Sequence, residues 1–398
     1  MKIFKGRVIN KRIAGKSIFL NLLANNEVQQ LYINSENDSF DIVKKLKIGS
    51  FISCGGEMFY TKTGHHTLKI NGFHVLFVPE IALQPVKEND KSFSSFNDIE
   101  LIRKYRYIQT IQDSNERNTF ILRSKIIQTI RNFFIENDYL EVETPILQSI
   151  YGGAEAEPFV THHNTLKKDL YLRIAPELYL RRMIIGGYER VFEIGKNFRN
   201  EGISNKHNPE FTFIEAYTSF VDYGSSLVLI KRLLINLSQE ISEETMYNDN
   251  MIKFTENNFT YIKYRDLVAK ACNVDVTLLS DTEIVDLFEE HVEKTLIQPT
   301  FVYDFPASIS PLALTYKDDK TTAQRFELYI GGMEIANAYS ELNDVNQHIE
   351  NMGEKDLDFI NALSYGMPPC SGLGIGIDRL IMLFTNKPIR DVIYFPTN

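Results

Sequence analysis

RVFEIGKNFRNEGISNKHNPEFTFIEAYTSFVDY, residues 190 to 223, reads as two strands around a polar loop, GISNKHNP. Before the loop, Phe192, Ile194 and Phe198 alternate with Glu193, Asn197, Arg199 and Glu201; after it, Phe211, Phe213, Glu215 and Tyr217 fall on one parity. Equal parity along a strand means one face. A single hairpin therefore presents Arg199, Glu201, Phe211, Glu215 and Tyr217 together. That set suits a ligand carrying phosphates, a flat ring and an amine. A solvated hairpin with paired charges fits the pattern equally well.

Working outward, the composition narrows the class. The chain has 398 residues, a formal net charge of -9 and three cysteines. Cys54, Cys272 and Cys370 are far apart and odd in number, which argues against a disulfide framework or a cysteine metal site. No apolar run approaches the ~20 residues that span a bilayer, so a soluble, cytoplasmic protein is expected. The acidic balance is not that of a general nucleic-acid binder. Lys2, Lys5, Arg7, Lys11, Arg12 and Lys16 nevertheless precede the first acid, Glu27. Such a basic start suits a docked acidic partner or an edge protected from aggregation.

Residues 1 to 82 contain about five strand candidates with turn punctuation, the pattern of a small OB-type barrel. Pro85 and KENDKSFSSFND mark a linker, taken as 83–118. Residues 119 to 137 carry Ile126, Ile127, Ile130, Phe133 and Phe134 at helical spacing. Residues 224 to 298 read as a charged helical stretch without visible chemistry. In RFELYIGGMEIANAYSELND (325–344), Gly331-Gly332 makes a two-residue turn. That turn sets Ile330 opposite Met333 and Glu327 opposite Ala336, with Glu327 and Glu334 as diagonal neighbours on one face. Two close carboxylates are costly without a cation between them, and magnesium is the hard cation for such oxygens. Two solvated surface acids are the alternative. GLGIGIDR lacks the spacing of a dinucleotide fingerprint.

FRNEG followed by HNPEFT and E-x-Y resembles motif 2 of class II aminoacyl-tRNA synthetases, in the lysyl form. LEVETPIL (140–147), with Pro145, resembles motif 1. GLGIGIDRLIMLF (372–384) resembles motif 3. APELYL (175–180) and SELND (340–344) are similar to the lysine branch. The resemblance runs in family order from about residue 115 to the C-terminus, with an anticodon-type barrel before it. It implies an α+β chain: the OB-fold domain, the linker, and a class II catalytic domain over 119–398 built on an antiparallel sheet flanked by helices.

What the resemblance implies for chemistry is specific. ATP and lysine form lysyl-adenylate, and the lysyl group passes to tRNA(Lys). Arg199 holds the α-phosphate and the carboxylate; Phe211 and Arg379 sandwich the adenine. Glu201 lies near the adenine and His207 reaches the terminal phosphates. Glu327 and Glu334 carry Mg2+ on ATP. Glu177 takes the α-amino group, while Glu341, with Tyr217, Glu215, Asn337 and Tyr339, forms the side-chain end. Arg12, Phe19 and Gln30 read the anticodon, although Phe19 also fits a barrel core. The helix before LEVET implies a homodimer, although its periodicity also fits packing within one domain. Strict alternation puts Asn337, Tyr339 and Glu341 on the face opposite Glu334, so a β-bulge is expected between Glu334 and Asn337.

The chain departs from the family pattern at several positions. His65 stands for a glutamate, Glu157 for an arginine, Leu314 for a basic residue, Ala336 and Ala338 for glycines, and Tyr339 for phenylalanine. A second reading follows: a paralogue that passes lysine or β-lysine to a protein such as elongation factor P, or to a small molecule. A third is a catalytically silent, OB-containing nucleic-acid-binding regulator.

Overall fold

The computed structural model describes residues 2–83, 99–154, 156–353 and 356–397. The Pro85 and KENDKSFSSFND part of the expected linker, and Glu155 in the GGAEAEP loop, lie outside them. The chain forms two compact units, meeting between Phe120 and Ile121.

The first unit is a closed barrel of strands Lys2–Ala14, Ser17–Ala24, Glu27–Asn34, His66–Phe77 and Phe51–Tyr60, in that spatial order. Alternation sends Ile18, Leu20, Leu22, Leu31, Ile33, Ile52, Leu68 and Ile70 inward, and Val43 of helix Phe40–Lys45 joins them. Asn25 and Asn26 both have positive φ, the requirement of the two-residue turn that pairs Ala24 with Glu27. At Gly56 a Cβ would stand 1.8 Å from the Lys69 carbonyl oxygen. Only glycine permits the register shift there that helps close the barrel.

Helices Ile99–Lys104 and Arg106–Gln112 follow, and then the long helix Ser114–Glu136. Asp113 accepts a hydrogen bond from the Asn115 N–H at 2.8 Å, satisfying an orphan donor of its first turn. Its buried Ile126, Ile130, Phe133 and Phe134 face the sheet of the second unit, where Phe134 stacks on Phe192.

Among the described residues that sheet has eight strands. Their order is Thr260–Lys263, Thr300–Pro306, Thr322–Tyr329, Glu334–Ser340, Cys370–Gly376, Glu210–Ser219, Arg190–Phe198 and Leu140–Glu141. Pairing is antiparallel except at the two edges. One face is apolar and covered by helices Ser114–Glu136, Tyr223–Glu240 and Ile377–Thr385. The other face is polar and bears the site. Residues 224–298 are less helical than their charge pattern implies: they include hairpin Glu244–Lys253 and the edge strand Thr260–Lys263. The LEVET strand is only two residues long, Leu140–Glu141.

The long helix, the central hairpin and the strand–helix unit of GLGIGIDRLIMLF meet at one carboxylate. Asp378 Oδ1 accepts from Arg123 Nη1 at 2.5 Å, and Asp378 Oδ2 accepts from the Thr212 N–H at 2.7 Å. Arg123 also donates to Thr212 Oγ1 and to the Val392 carbonyl. Every group here is buried. Breaking one partner of a buried pair costs about 3–5 kcal/mol because the other charge is stranded. Asp378→Ala is therefore expected to destabilise the second unit by about that amount, read by denaturant unfolding. A loss under about 1 kcal/mol, the range of an exposed pair, would show that the junction is not structural.

Candidate active site

A cavity of about 390 Å³ opens on the polar face of the sheet. Its wall gathers Glu177, Arg199, Glu201, His207, Phe211, Glu215, Tyr217, Glu334, Asn337, Tyr339 and Arg379, eleven positions singled out from sequence and spread over some 200 residues of chain. Glu327 and Glu341 stand just behind that wall. Register explains the gathering. Asn197 pairs with Phe211 and Glu193 with Glu215, so the 190–219 hairpin turns one polar face inward.

The second hairpin needs its irregularity. Gly331 and Gly332 both have positive φ, and Ile330 and Met333 exchange backbone hydrogen bonds across the turn. Tyr329 pairs with Glu334 and Leu328 with Ala336, leaving Ile335 as an extra residue. This is the expected bulge, and it brings Glu334, Asn337 and Tyr339 to one side. It also corrects the pairing expected without it: Glu327 faces Asn337, not Ala336. Ala336 and Ala338 point into the hydrophobic core, so their methyl groups do not narrow the cavity.

The cavity has two electrostatic ends. At one end the Arg199 guanidinium lies 5.2 Å from the Phe211 ring centre, and its buried Nε has no hydrogen-bond partner among the described residues. Arg379 donates to the Glu334 carbonyl at 2.7 Å and approaches His207 Nε2 at 3.3 Å. Ser204 fixes the other His207 nitrogen at 2.9 Å. Burial, then the charge of Arg379, pushes the His207 pKa down, so the ring is neutral at pH 7. Lys206 donates to the Gly332 carbonyl at 2.6 Å, anchoring the GISNKHNP loop to the second hairpin. This end presents cations, an aromatic face and an orphan donor, the requirements of a nucleotide phosphate and base.

The other end is acidic. Glu215 and Glu341 are buried, and burial raises both carboxyl pKa values well above the usual range. Burial likewise raises Glu177, opposed by Arg181 and by the Tyr339 hydroxyl, which donates to Glu177 Oε2 at 2.7 Å. At Gly372, on the cavity floor, a Cβ would meet Glu341 Oε1 at 2.2 Å and Tyr217 Cε1 at 2.5 Å. Glycine there lets the Glu341 carboxylate approach the cavity.

Two arginines escaped the sequence reading. Arg181 pairs with Glu177 and Glu341, and Arg325 pairs with Glu327. Both signals were in the sequence: Arg181 is four residues after Glu177 on one helix, and Arg325 shares strand parity with Glu327. On the barrel, Phe19 lies outside the core, in a row with Tyr32 at 5.1 Å and Phe59 beyond it at 5.7 Å from Tyr32. Arg12 is exposed opposite Phe19, and Gln30 accepts a hydrogen bond from Thr67.

The family model for class II tRNA synthetases (D, K and N) matches residues 98–398. The chain belongs to that family, in its lysine branch. A lysine–tRNA ligase of Dichelobacter nodosus is 41% identical, covering 98% of this chain and 86% of its own length. One of Carboxydothermus hydrogenoformans is 40% identical, with 98% and 87% covered. One of Staphylococcus epidermidis is 41% identical, with 98% and 86% covered. The chain is thus an aminoacyl-tRNA synthetase-class enzyme. No helix among the described residues is long and apolar enough to cross a membrane.

Glu215 makes the acidic end testable without substrate. Its folded pKa is raised above the unfolded value of about 4.3, first by burial and next by Glu177, against Arg173 and Arg199. The folded state therefore binds more protons, and stability is lost as pH rises from the unfolded pKa toward the folded one. Glu215→Gln is expected to raise the melting temperature of the ligand-free protein at pH 8 and to change it little at pH 4. A pH-independent difference would contradict the buried-carboxyl assignment.

Proposed function

We propose that the cavity activates L-lysine with ATP and that the lysyl group passes to tRNA(Lys). The observation that carries this is the charge of the acidic end. Three buried carboxyl groups, Glu177, Glu215 and Glu341, share this end with Arg181; burial disfavours their ionised forms, and if all three ionised they would exceed the arginine charge by two. Lysine brings two ammonium groups, one to each end of the acidic region, and its carboxylate falls toward Arg199. A buried carboxylate left unpaired is expensive, so a substrate lacking either ammonium group binds poorly.

In this reading Glu177 receives the α-ammonium, and Glu341 the ε-ammonium with Glu215 and Tyr217 beside it. Asn337 and Tyr339 shape the channel between them. Phe211 and Arg379 enclose the adenine, Glu201 borders it, and His207 meets the terminal phosphates. Arg199 holds the lysine carboxylate and the α-phosphate within reach of each other. A carboxylate oxygen attacks the α-phosphorus, the bond to the bridging oxygen breaks, and pyrophosphate leaves. Positioning and charge neutralisation carry such a step.

Glu327 and Glu334 fit a magnesium ion carried in on ATP. Burial raises the Glu327 pKa against the opposing charge of Arg325, and Glu334 is close enough for its charge to raise it further. Among the described residues no group of three acidic, histidine or cysteine side chains could hold a metal alone, which suits an ion completing its shell with phosphate and water oxygens. When bound, magnesium neutralises phosphate charge. Arg325, which lines the cavity, pairs with Glu327 and holds its carboxylate in place.

Arg12, Phe19 and Gln30, on the aromatic outer row of the barrel, would stack and bond single-stranded anticodon bases. Exposed Leu140, Ile146, Leu147 and Ile150 around Pro145 support pairing of two chains there. A cytoplasmic translation enzyme is the setting these roles share.

The test is transfer of labelled lysine from ATP-activated enzyme to purified tRNA(Lys), with β-lysine as a second donor and elongation factor P as a second acceptor. Charging of tRNA with α-lysine is the expected result. Adenylate formation without tRNA charging would overturn the acceptor assignment. Glu341→Gln is expected to raise the lysine KM about 10- to 100-fold, the loss of a charged hydrogen bond, with the ATP KM little changed. An equal rise in both would remove Glu341 from the ε-ammonium role.

A further inference from the structure

Arg181 is fully buried and does not touch the cavity. It stands behind the two carboxylates assigned to the substrate's two amino groups. Its Nη1 donates to Glu177 Oε1 at 3.3 Å, and its Nε lies 3.4 Å from Glu341 Oε2. Nη2 donates to the Leu342 carbonyl at 2.5 Å. Phe359 packs against the guanidinium, 4.8 Å from the ring centre. Four contacts hold the planar guanidinium in place.

The two carboxylates come from unrelated elements. Glu177 opens helix Glu177–Ile185, and Glu341 follows strand Glu334–Ser340. No side chain donates a hydrogen bond to the Glu341 carboxylate among the described residues, and the Gly372 backbone is the polar group beside it. Arg181 is the cation that contacts both carboxylates and so links Glu341 to Glu177. Burial alone would lower the Arg181 pKa, and the charges of Glu341 and Glu177 overcome this and raise it, so the guanidinium stays charged at any working pH.

We propose that Arg181 is the positioning residue for substrate selection: it sets the spacing and the shared charge of Glu177 and Glu341, and so sets the length of diamino acid the cavity accepts. The proposal rests on the reading of this cavity as a lysine site. A lysine at this position keeps the charge but is a point donor on a flexible stem, without a fork that spans three acceptors at once. The spacing then becomes loose while the charge balance holds. A methionine removes both and leaves one more uncompensated negative charge.

The experiment compares pyrophosphate exchange with lysine and with ornithine, one methylene shorter, in wild type, Arg181→Lys, Arg181→Met and Phe359→Leu. One methylene is worth about 10- to 200-fold in a fitted pocket. Arg181→Lys is expected to raise the lysine KM about tenfold, to leave the ATP KM within about twofold, and to cut the lysine-over-ornithine preference about tenfold. Arg181→Met is expected to lose more lysine activity, with Arg181→Lys as the partial rescue. Phe359→Leu loosens the guanidinium from its far side and is expected to shift the same ratio in the same direction by less. A merely structural arginine lowers the melting temperature and the number of active sites but leaves the lysine-to-ornithine ratio unchanged. An unchanged ratio in folded Arg181→Lys overturns the proposal. If neither Arg181 variant folds, the ratio in Phe359→Leu decides in the same way. A wild type that activates no lysine fails the cavity reading itself, which the first arm shows before any variant is compared.

Discussion

The Asp378 carboxylate accepts from Arg123 on the long helix and from the backbone of Thr212 on the central hairpin, while itself opening the helix that follows the glycine strand. Three segments far apart in sequence are locked at that point, away from water. Arg379 is the next residue, so the guanidinium offered to the nucleotide inherits its position from this junction. Thr212 sits between Phe211 and Phe213, so the same junction fixes the aromatic face opposite. Buried Arg173 and Glu193, with Thr144 donating to Glu193 at 2.7 Å, repeat the arrangement next to Pro145. The polar face of the sheet is thus held by ion pairs that the apolar face could not supply, and the cavity lies where they converge.

Charge is then distributed unevenly along one cavity. The outer end carries Arg199, Arg379 and a neutral His207; the inner end carries carboxylates whose ionised forms burial disfavours. Stranded donors at one end and reluctant anions at the other make the ligand-free site costly, a common property of binding sites. A molecule that is anionic on one side and dicationic on the other removes both costs together.

Much of this was legible in the chain. Parity alone placed Arg199, Phe211, Glu215 and Tyr217 on one face, because period two leaves no choice once a strand is assigned. The bulge was legible only as a conflict: Glu334 and Tyr339 had to share a pocket that strict alternation denied them. Its position at Ile335, and hence the partner of Glu327, depended on how the strand twists. Arg181 and Arg325 stayed hidden since an arginine beside apolar residues reads as surface, and only tertiary packing shows it enclosed by carboxylates. Ala336 and Ala338 misled for the same reason, as the bulge that brings Glu334 round keeps their methyls in the core.

The most direct test of the account is ATP–pyrophosphate exchange measured against all twenty amino acids. The account predicts exchange with lysine, little with arginine, whose side-chain charge is planar and set farther out, and none with norleucine-like neutral side chains such as methionine. Exchange driven equally well by a neutral amino acid would contradict it, because the buried carboxyl groups at the inner end would then have no role.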